Sequence, residues 1–215
     1  MTVEMTAGSF STVFSEALRG HACAVTGLSD EPRPLPMADW VRPADDSDDL
    51  LIDQCVGATV DIGCGPGRLT ARLAELGHVV LGIDVVREAV RQTRRRGASA
   101  LVRDVFRTLP GEGRWRTALL ADGNIGIGGD PVALLLRARE LIEPGGRVVV
   151  EMDPPGTGLR TVWAALECNQ TRSRPFRWSV VGIDVVHEIA ARAGLSVTDV
   201  RRGRERWCAV LEAPA

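Results

Sequence analysis

Between residues 57 and 153 short β-branched runs alternate with helical patterns, and no other feature restricts the fold of this chain so strongly. The runs are ATVDI (58–62), HVVLGID (78–84), ALVRD (100–104), RTALLAD (116–122) and GRVVVEMD (146–153). Helical spacing fills the intervals near 67–76, 85–96 and 130–142, so the text reads as consecutive βαβ units on a parallel sheet. Gly77, Gly97 and the Gly145-Gly146 pair fall after these helices, where a left-handed cap residue is wanted. Near the end, LSVTDVRR and ERWCAVLEA are separated by a link too short for a right-handed crossover. They predict a hairpin whose last strand runs antiparallel to the others.

The flanking segments are less regular. Phe10, Val13, Phe14, Ala17 and Leu18 recur at helical spacing, which predicts an amphipathic helix over 9–20. Residues 29–49 are rich in proline and aspartate and read as a long connection, followed by a short helix over 48–56. Residues 154–180 show no period and are expected to be an irregular insert holding Trp163, Phe176 and Trp178. The expected organisation is a single domain: an N-terminal extension, residues 1–56, packed on an α/β core, residues 57–215.

Composition removes several chemistries. The chain has no lysine, so all 26 basic residues are arginine; pyridoxal phosphate Schiff bases and the lysine of the P-loop are excluded. A formal net charge of −2 provides no global attraction for nucleic acid, which is disfavoured as a partner. No apolar run is long enough to span a membrane, and MTVEMTAGSF has no signal-like character, so a cytoplasmic location is expected. The five cysteines are odd in number and scattered, and they are read as reduced thiols. Asp45, Asp46, Asp48 and Asp49 lack a histidine or second carboxylate cluster to complete a ligand set, and no metal is expected.

The chemistry concentrates in Val60-Asp61-Ile62-Gly63-Cys64-Gly65-Pro66-Gly67, at the carboxyl end of the first strand of the series, where open α/β sheets bind nucleotides. Glycines there let a ligand lie against bare backbone. Taken alone, such a loop is a weak signal whose lesser alternative is a tight strand-to-helix turn that binds nothing. Asp84, Asp104 and Asp122 end the next three strands in this reading, so carboxylates line one rim. Asp84 could accept from both hydroxyls of a ribose and Asp104 from an adenine amino group.

These residues resemble the first motif of the class I (Rossmann-like) S-adenosylmethionine-dependent methyltransferases, an acidic residue followed by GxGxG, matched by Asp61, Gly63, Gly65 and Gly67. The resemblance implies a doubly wound α/β fold with a seven-stranded, mostly parallel sheet in the order 3-2-1-4-5-7-6. It also implies S-adenosylmethionine as cofactor. By the same resemblance Gly63, Cys64 and Gly65 pack against the methionine moiety, and Asp84, with Val85 beside it, binds the ribose. Asp104 and the backbone of Val105 hold adenine, while Asp122 and Gly123 face the methyl end. Nicotinamide-dependent oxidoreductases share an acid like Asp84, but their GxGxxG fingerprint would need glycine where Arg68 stands.

For catalysis, His21 is the candidate base, because it follows an N-terminal helix of a kind that often folds over the cofactor in that family. His78 and His187 carry less weight. The loop 121–129 is a second glycine-rich stretch suited to a substrate wall. Asp153-Pro154-Pro155 lacks the aromatic that follows in base-methylating motifs and reads as a turn. Trp40, Trp163, Phe176 and Trp178 line either an acceptor pocket or a satellite core, and Arg94-Arg95-Arg96 reads as a solvated helix end. The expected acceptor is a small molecule. A module that binds the cofactor without catalysis, and an oxidoreductase, are the alternatives.

Overall fold

The computed structural model describes residues 5–214. The chain opens with β1 (Thr6–Gly8), α1 (Phe10–Leu18), β2 (Cys23–Thr26), β3 (Arg33–Pro34), α2 (Met37–Val41) and α3 (Asp49–Ile52). The alternating section holds β4 (Thr59–Ile62), α4 (Arg68–Glu75), β5 (Val80–Asp84), α5 (Arg87–Arg95), β6 (Ala100–Val102), β7 (Trp115–Leu120), α6 (Pro131–Leu141) and β8 (Ile142–Met152). Then come β9 (Leu159–Cys168), β10 (Thr171–Ser173), β11 (Phe176–Val181), α7 (Val186–Arg192), β12 (Ser196–Arg202) and β13 (Trp207–Glu212).

Seven strands form the core sheet in the order β6-β5-β4-β7-β8-β13-β12, which counts as 3-2-1-4-5-7-6 along the chain. The first five are parallel, whereas β13 pairs antiparallel with both β8 and β12. Alternation along these strands divides the apolar side chains between two faces. Ala118, Leu120, Val148, Val150, Ala209 and Leu211 pack with Leu134, Leu135, Ala138 and Leu141 of α6 and with Ile189 of α7. Leu119, Ala121, Val149 and Cys208 face the other way, against Leu51 and Ile52 of α3 and Leu69 and Leu73 of α4. Both faces are covered, which is why β7 can run apolar without a break through Ala118, Leu119 and Leu120.

A second sheet corrects the reading of residues 154–180. They are not irregular: the long strand β9 pairs with β11, β10 and β2. The N-terminal segment completes that sheet, since β1 lies parallel to β10 and β3 pairs with β2. The 29–49 connection is also more ordered than its prolines suggested, containing β3 and α2. Helix α1 packs across this sheet through Val13 and Ala17, against Ala164, Leu166 and Cys168. The sheet and α1 together form a cap.

The reading of five free thiols is likewise corrected, because Cys23 and Cys168 form a disulfide. They are register partners on β2 and β9, separated by 145 residues in sequence. Spacing along the chain carries no signal for such a pair. Cys55, Cys64 and Cys208 are free and buried. Among the described residues no helix is long and apolar enough to cross a membrane.

Candidate active site

A cavity of about 370 Å³ lies between the carboxyl ends of the core strands and the cap. Its floor is the loop after β4, built on backbone that only glycine adopts readily. At Gly65 φ is +53°, and a Cβ there would meet nothing within 4 Å, so bare backbone faces open space. At Gly67 φ is +84°, and a Cβ would lie 2.6 Å from the Thr93 side chain of α5. Gly67 therefore allows α5 to close on the loop, whereas Gly65 leaves room for a ligand. Asn124 fixes the loop from the far side, its Nδ2 donating to the carbonyls of Ile62 and Gly63 at 2.9 Å each.

Asp84 ends β5, and its carboxylate accepts from the backbone N–H of Gly65 at 3.0 Å and of Val86 at 2.8 Å. Each oxygen takes one of these bonds and keeps a further lone pair for a ligand on the cavity side. Burial raises its pKa above the ordinary carboxylate value, against the opposing effect of those two N–H donors. Asp104 stands beyond the end of β6, not within it; it is exposed and accepts from the Phe106 N–H at 3.0 Å. Val85 and Val105 complete this end of the wall.

Asp61 lies at the root of the loop, 2% exposed, and accepts from the Thr70 hydroxyl at 2.5 Å. Burial pushes its pKa up to about 7, the Thr70 bond opposes the shift, and the charges of Asp122 and Asp84 add to it. Cys64 also lines the cavity, but burial raises its thiol well above the usual value, so it is no ready nucleophile.

Asp122 differs from expectation in what it touches. It follows β7 with φ at +52°, and both its carboxylate oxygens accept from Arg68 Nη2, at 2.6 and 2.7 Å. Arg68, 4% exposed at the start of α4, also pairs with the fully buried Asp48. Arg206 from the β12–β13 turn reaches Asp48 at 2.7 Å and Glu151 at 2.6 Å. Glu151 in turn accepts the Asp122 N–H at 2.6 Å. Arg42 adds a contact to Asp48 at 2.8 Å. This network of three arginines and three acids joins the ends of β7 and β8 to the loop, the final hairpin and the N-terminal segment. In the sequence Arg68 marks only the departure from GxGxxG, yet an arginine opening the helix after a glycine loop, with an acid after the fourth strand, is the signal for this network.

Of the residues singled out from sequence, Asp61, Gly63, Cys64, Gly65, Asp84 and Val85 lie on the cavity wall, as do Asp104, Val105 and Asp122. Gly67 and Gly123 stand behind it. His21 is not brought there; it follows α1 in solvent, with Nδ1 3.1 Å from the Glu16 carboxylate. Trp163 is 67% exposed and also lies outside. The cap side of the wall is instead Phe10, Phe14, Trp40, Phe176 and Trp178. The second glycine loop contributes Asn124, Ile127 and Gly128.

A core sheet with a glycine loop and a carboxylate rim at its C-terminal edge is similar in fold to the class I methyltransferases. Residues 59–146 match the family model described as a methyltransferase domain. An S-adenosylmethionine-dependent methyltransferase from Bacteroides fragilis, solved with S-adenosyl-L-homocysteine, superposes with a TM-score of 0.79 at 16% identity, covering 100% of this chain and 98% of that one. A 1,6-didemethyltoxoflavin-N1-methyltransferase from Burkholderia thailandensis gives a TM-score of 0.58 at 19% identity, covering 79% and 77%. At these identities the likeness is one of fold. An uncharacterized 37.1 kDa protein in transposon TN4556 of Streptomyces fradiae is 30% identical over 145 residues, 64% of this chain. The chain spans 42% of that protein's length.

Proposed function

We propose that the chain binds S-adenosylmethionine in this cavity and transfers its methyl group to a small-molecule acceptor held under the cap. The observation that carries the reading is Asp84, held by Gly65 and Val86 so that it shares one cavity with the bare loop backbone. Bound there, the cofactor would supply a methyl group activated by a sulfonium. Asp84 would take the ribose hydroxyls, and Asp104 with the backbone of Val105 the adenine. Gly63 and Gly65 would let the methionine portion lie close, with the Asp61 carboxylate beside its ammonium group. The complexes of the two solved structures named above with S-adenosylhomocysteine support this choice of cofactor.

The chain's remaining task is to hold an acceptor in line with the methyl carbon and to exclude water, which is where most of the rate in such a displacement originates. Its cavity carboxylates are all engaged: Asp61 by Thr70, Asp84 and Asp104 by backbone N–H groups, Asp122 by Arg68. They position; they do not stand free as a base. Calorimetric titration with S-adenosylmethionine and with NADH tests the reading, and binding of NADH alone would overturn it. Asp84→Ala should weaken S-adenosylmethionine binding by about 1–3 kcal/mol for each hydrogen bond lost to the charged group. Unchanged affinity would place the ribose elsewhere.

A further inference from the structure

The two ends of the cavity are built from different materials. The chain has only five tryptophans, four phenylalanines and no tyrosine, yet Phe10, Phe14, Trp40, Phe176 and Trp178 all meet on the cap side of this one cavity. They form a continuous series. Trp40 lies 5.9 Å from Phe14, which stacks on Phe10 at 5.5 Å; Phe10 meets Phe176 edge-on at 5.0 Å, and Phe176 meets Trp178 edge-on at 6.3 Å. Each pair lies within the range where ring quadrupoles favour stacked or edge-to-face contact. None of the five is fully buried, so each still presents ring surface to the cavity.

Such a wall is expensive to assemble. Phe10 and Phe14 come from α1, Trp40 from α2, and Phe176 and Trp178 from β11, so three separate elements are bent toward one space. The second glycine loop makes way for it. A Cβ at Gly126 would lie 2.2 Å from the Ser179 carbonyl and 2.6 Å from the Trp178 indole nitrogen. Ile127 bridges to Trp178 from the same loop. A site for an aliphatic acceptor would be served by leucine, valine and methionine, which adapt to flexible chains. Among the described residues the cap adds only Arg177 to these rings, and the aliphatic side chain Ile127 faces them from the loop 124–128. Rigid rings at mixed inclinations, 11° within one pair and 77–86° in two others, suit a flat guest that can stack on one face and receive edges on its rim.

We infer that the acceptor is a planar aromatic or heteroaromatic compound, held by Phe10, Phe176 and Trp178 against the loop 124–128. The inference rests on the methyltransferase reading for the word acceptor, but the preference for flat rings is a property of the wall alone. It is tested by titrating 2-naphthol and its saturated counterpart decahydro-2-naphthol into the protein, with and without S-adenosylhomocysteine, by calorimetry. The aromatic alcohol should bind at least tenfold more tightly. Phe176→Leu and Trp178→Leu should each weaken 2-naphthol several-fold while S-adenosylhomocysteine affinity stays unchanged, which shows the variants to be folded. Equal or tighter binding of the saturated alcohol would overturn the inference, as would variants that bind 2-naphthol as the parent does. Failure of S-adenosylhomocysteine to bind would strike the cofactor reading instead, and the naphthol comparison on the free protein would still decide this one.

Discussion

The core sheet and the cap sheet meet at one cavity but are stabilised differently. In the core, β7 and β8 are packed on both faces, and Ala118, Leu119, Leu120, Val148 and Val149 are fully buried. In the cap, one side of β9 carries Ala164 and Leu166 under α1, while the other side leaves Trp163 in solvent. Core residues have complementary partners in every direction and little freedom to change. Cap residues are packed on the α1 side, whereas on the Trp163 side buried Ala165, Ser179 and Val181 alternate along the strands with positions that are wet or open to a ligand. On the proposed function this division would serve a constant cofactor on one wall and a particular acceptor on the other, because the cap can vary without loosening the sheet beneath it.

The largest effect should come from the charge network beside the core. Arg68→Ala removes a partner from the fully buried Asp48 and takes away the Nη2 donor shared by both Asp122 oxygens. Deleting one member of a buried ion pair typically costs about 3–5 kcal/mol, because a desolvated charge is left behind. Urea unfolding of the parent and variant measures the difference. A loss under about 1 kcal/mol would mean that these ends are held by packing and that the charges add little.

A second difference is in pH response. Asp61 is held near 7 in the folded chain and titrates near 4 when unfolded. Between those values the unfolded chain has released a proton that the folded one keeps, so stability falls as pH rises from about 4 to about 7 and levels above that. The spread should be no more than a few kcal/mol, at about 1.4 kcal/mol per pKa unit. Asp84 and Asp122 are raised by burial too and act in the same direction, so Asp61→Asn should reduce the slope without abolishing it. Unfolding followed at pH 5 and pH 7.5 tests this, and an unchanged slope would show that Asp61 is ionised throughout. Substitutions in the cap should leave it alone, since the buried polar residues of its strands, Ser173 and Ser179, do not titrate there.

How much could be read in advance follows the same division. The core strands alternate with helices over short stretches, so period and punctuation located β4, β5, β7, β8 and the final hairpin. The glycine loop was legible because positive φ and bare backbone demand one residue type, as at Gly65. The cap was not legible. Its pairs join residues 6–34 to 159–181, as in Thr6 with Thr171 or Ala24 with Glu167, and nothing local to either segment names the other. The Cys23–Cys168 disulfide was missed for that reason. Arg68 was missed for a different one: its partners Asp48, 20 residues before it, and Asp122, 54 residues after, become neighbours only when α4 docks.

Within the cap, Phe10 sits between Phe14 and Phe176. Phe10→Leu keeps an apolar side chain but gives up two ring contacts, each worth about 0.5–1.5 kcal/mol beyond buried area. A net loss of about 1–2 kcal/mol is expected. Affinity for S-adenosylhomocysteine should not change, because the ring faces the cap side of the cavity. A variant that lost both stability and cofactor binding would show that cap and core are one cooperative unit, and the comparison would fail.

The smallest effect should come from a pair that looks on paper like those around Arg68. Arg172 and Glu167 lie 3.4 Å apart on β10 and β9 of the cap, with 52% and 30% of their side chains exposed. Water already solvates both groups, and holding two long side chains in register costs entropy, so Arg172→Ala should change stability by no more than about 0.5 kcal/mol. The same unfolding assay, run at low and high salt, distinguishes the two ion pairs. The cap pair's small contribution should disappear as salt screens it, whereas the Arg68 deficit should persist because its partners are out of water. If Arg172→Ala proved as costly as Arg68→Ala, exposure would not be what separates the two sheets, and the cap would have to be regarded as a second core.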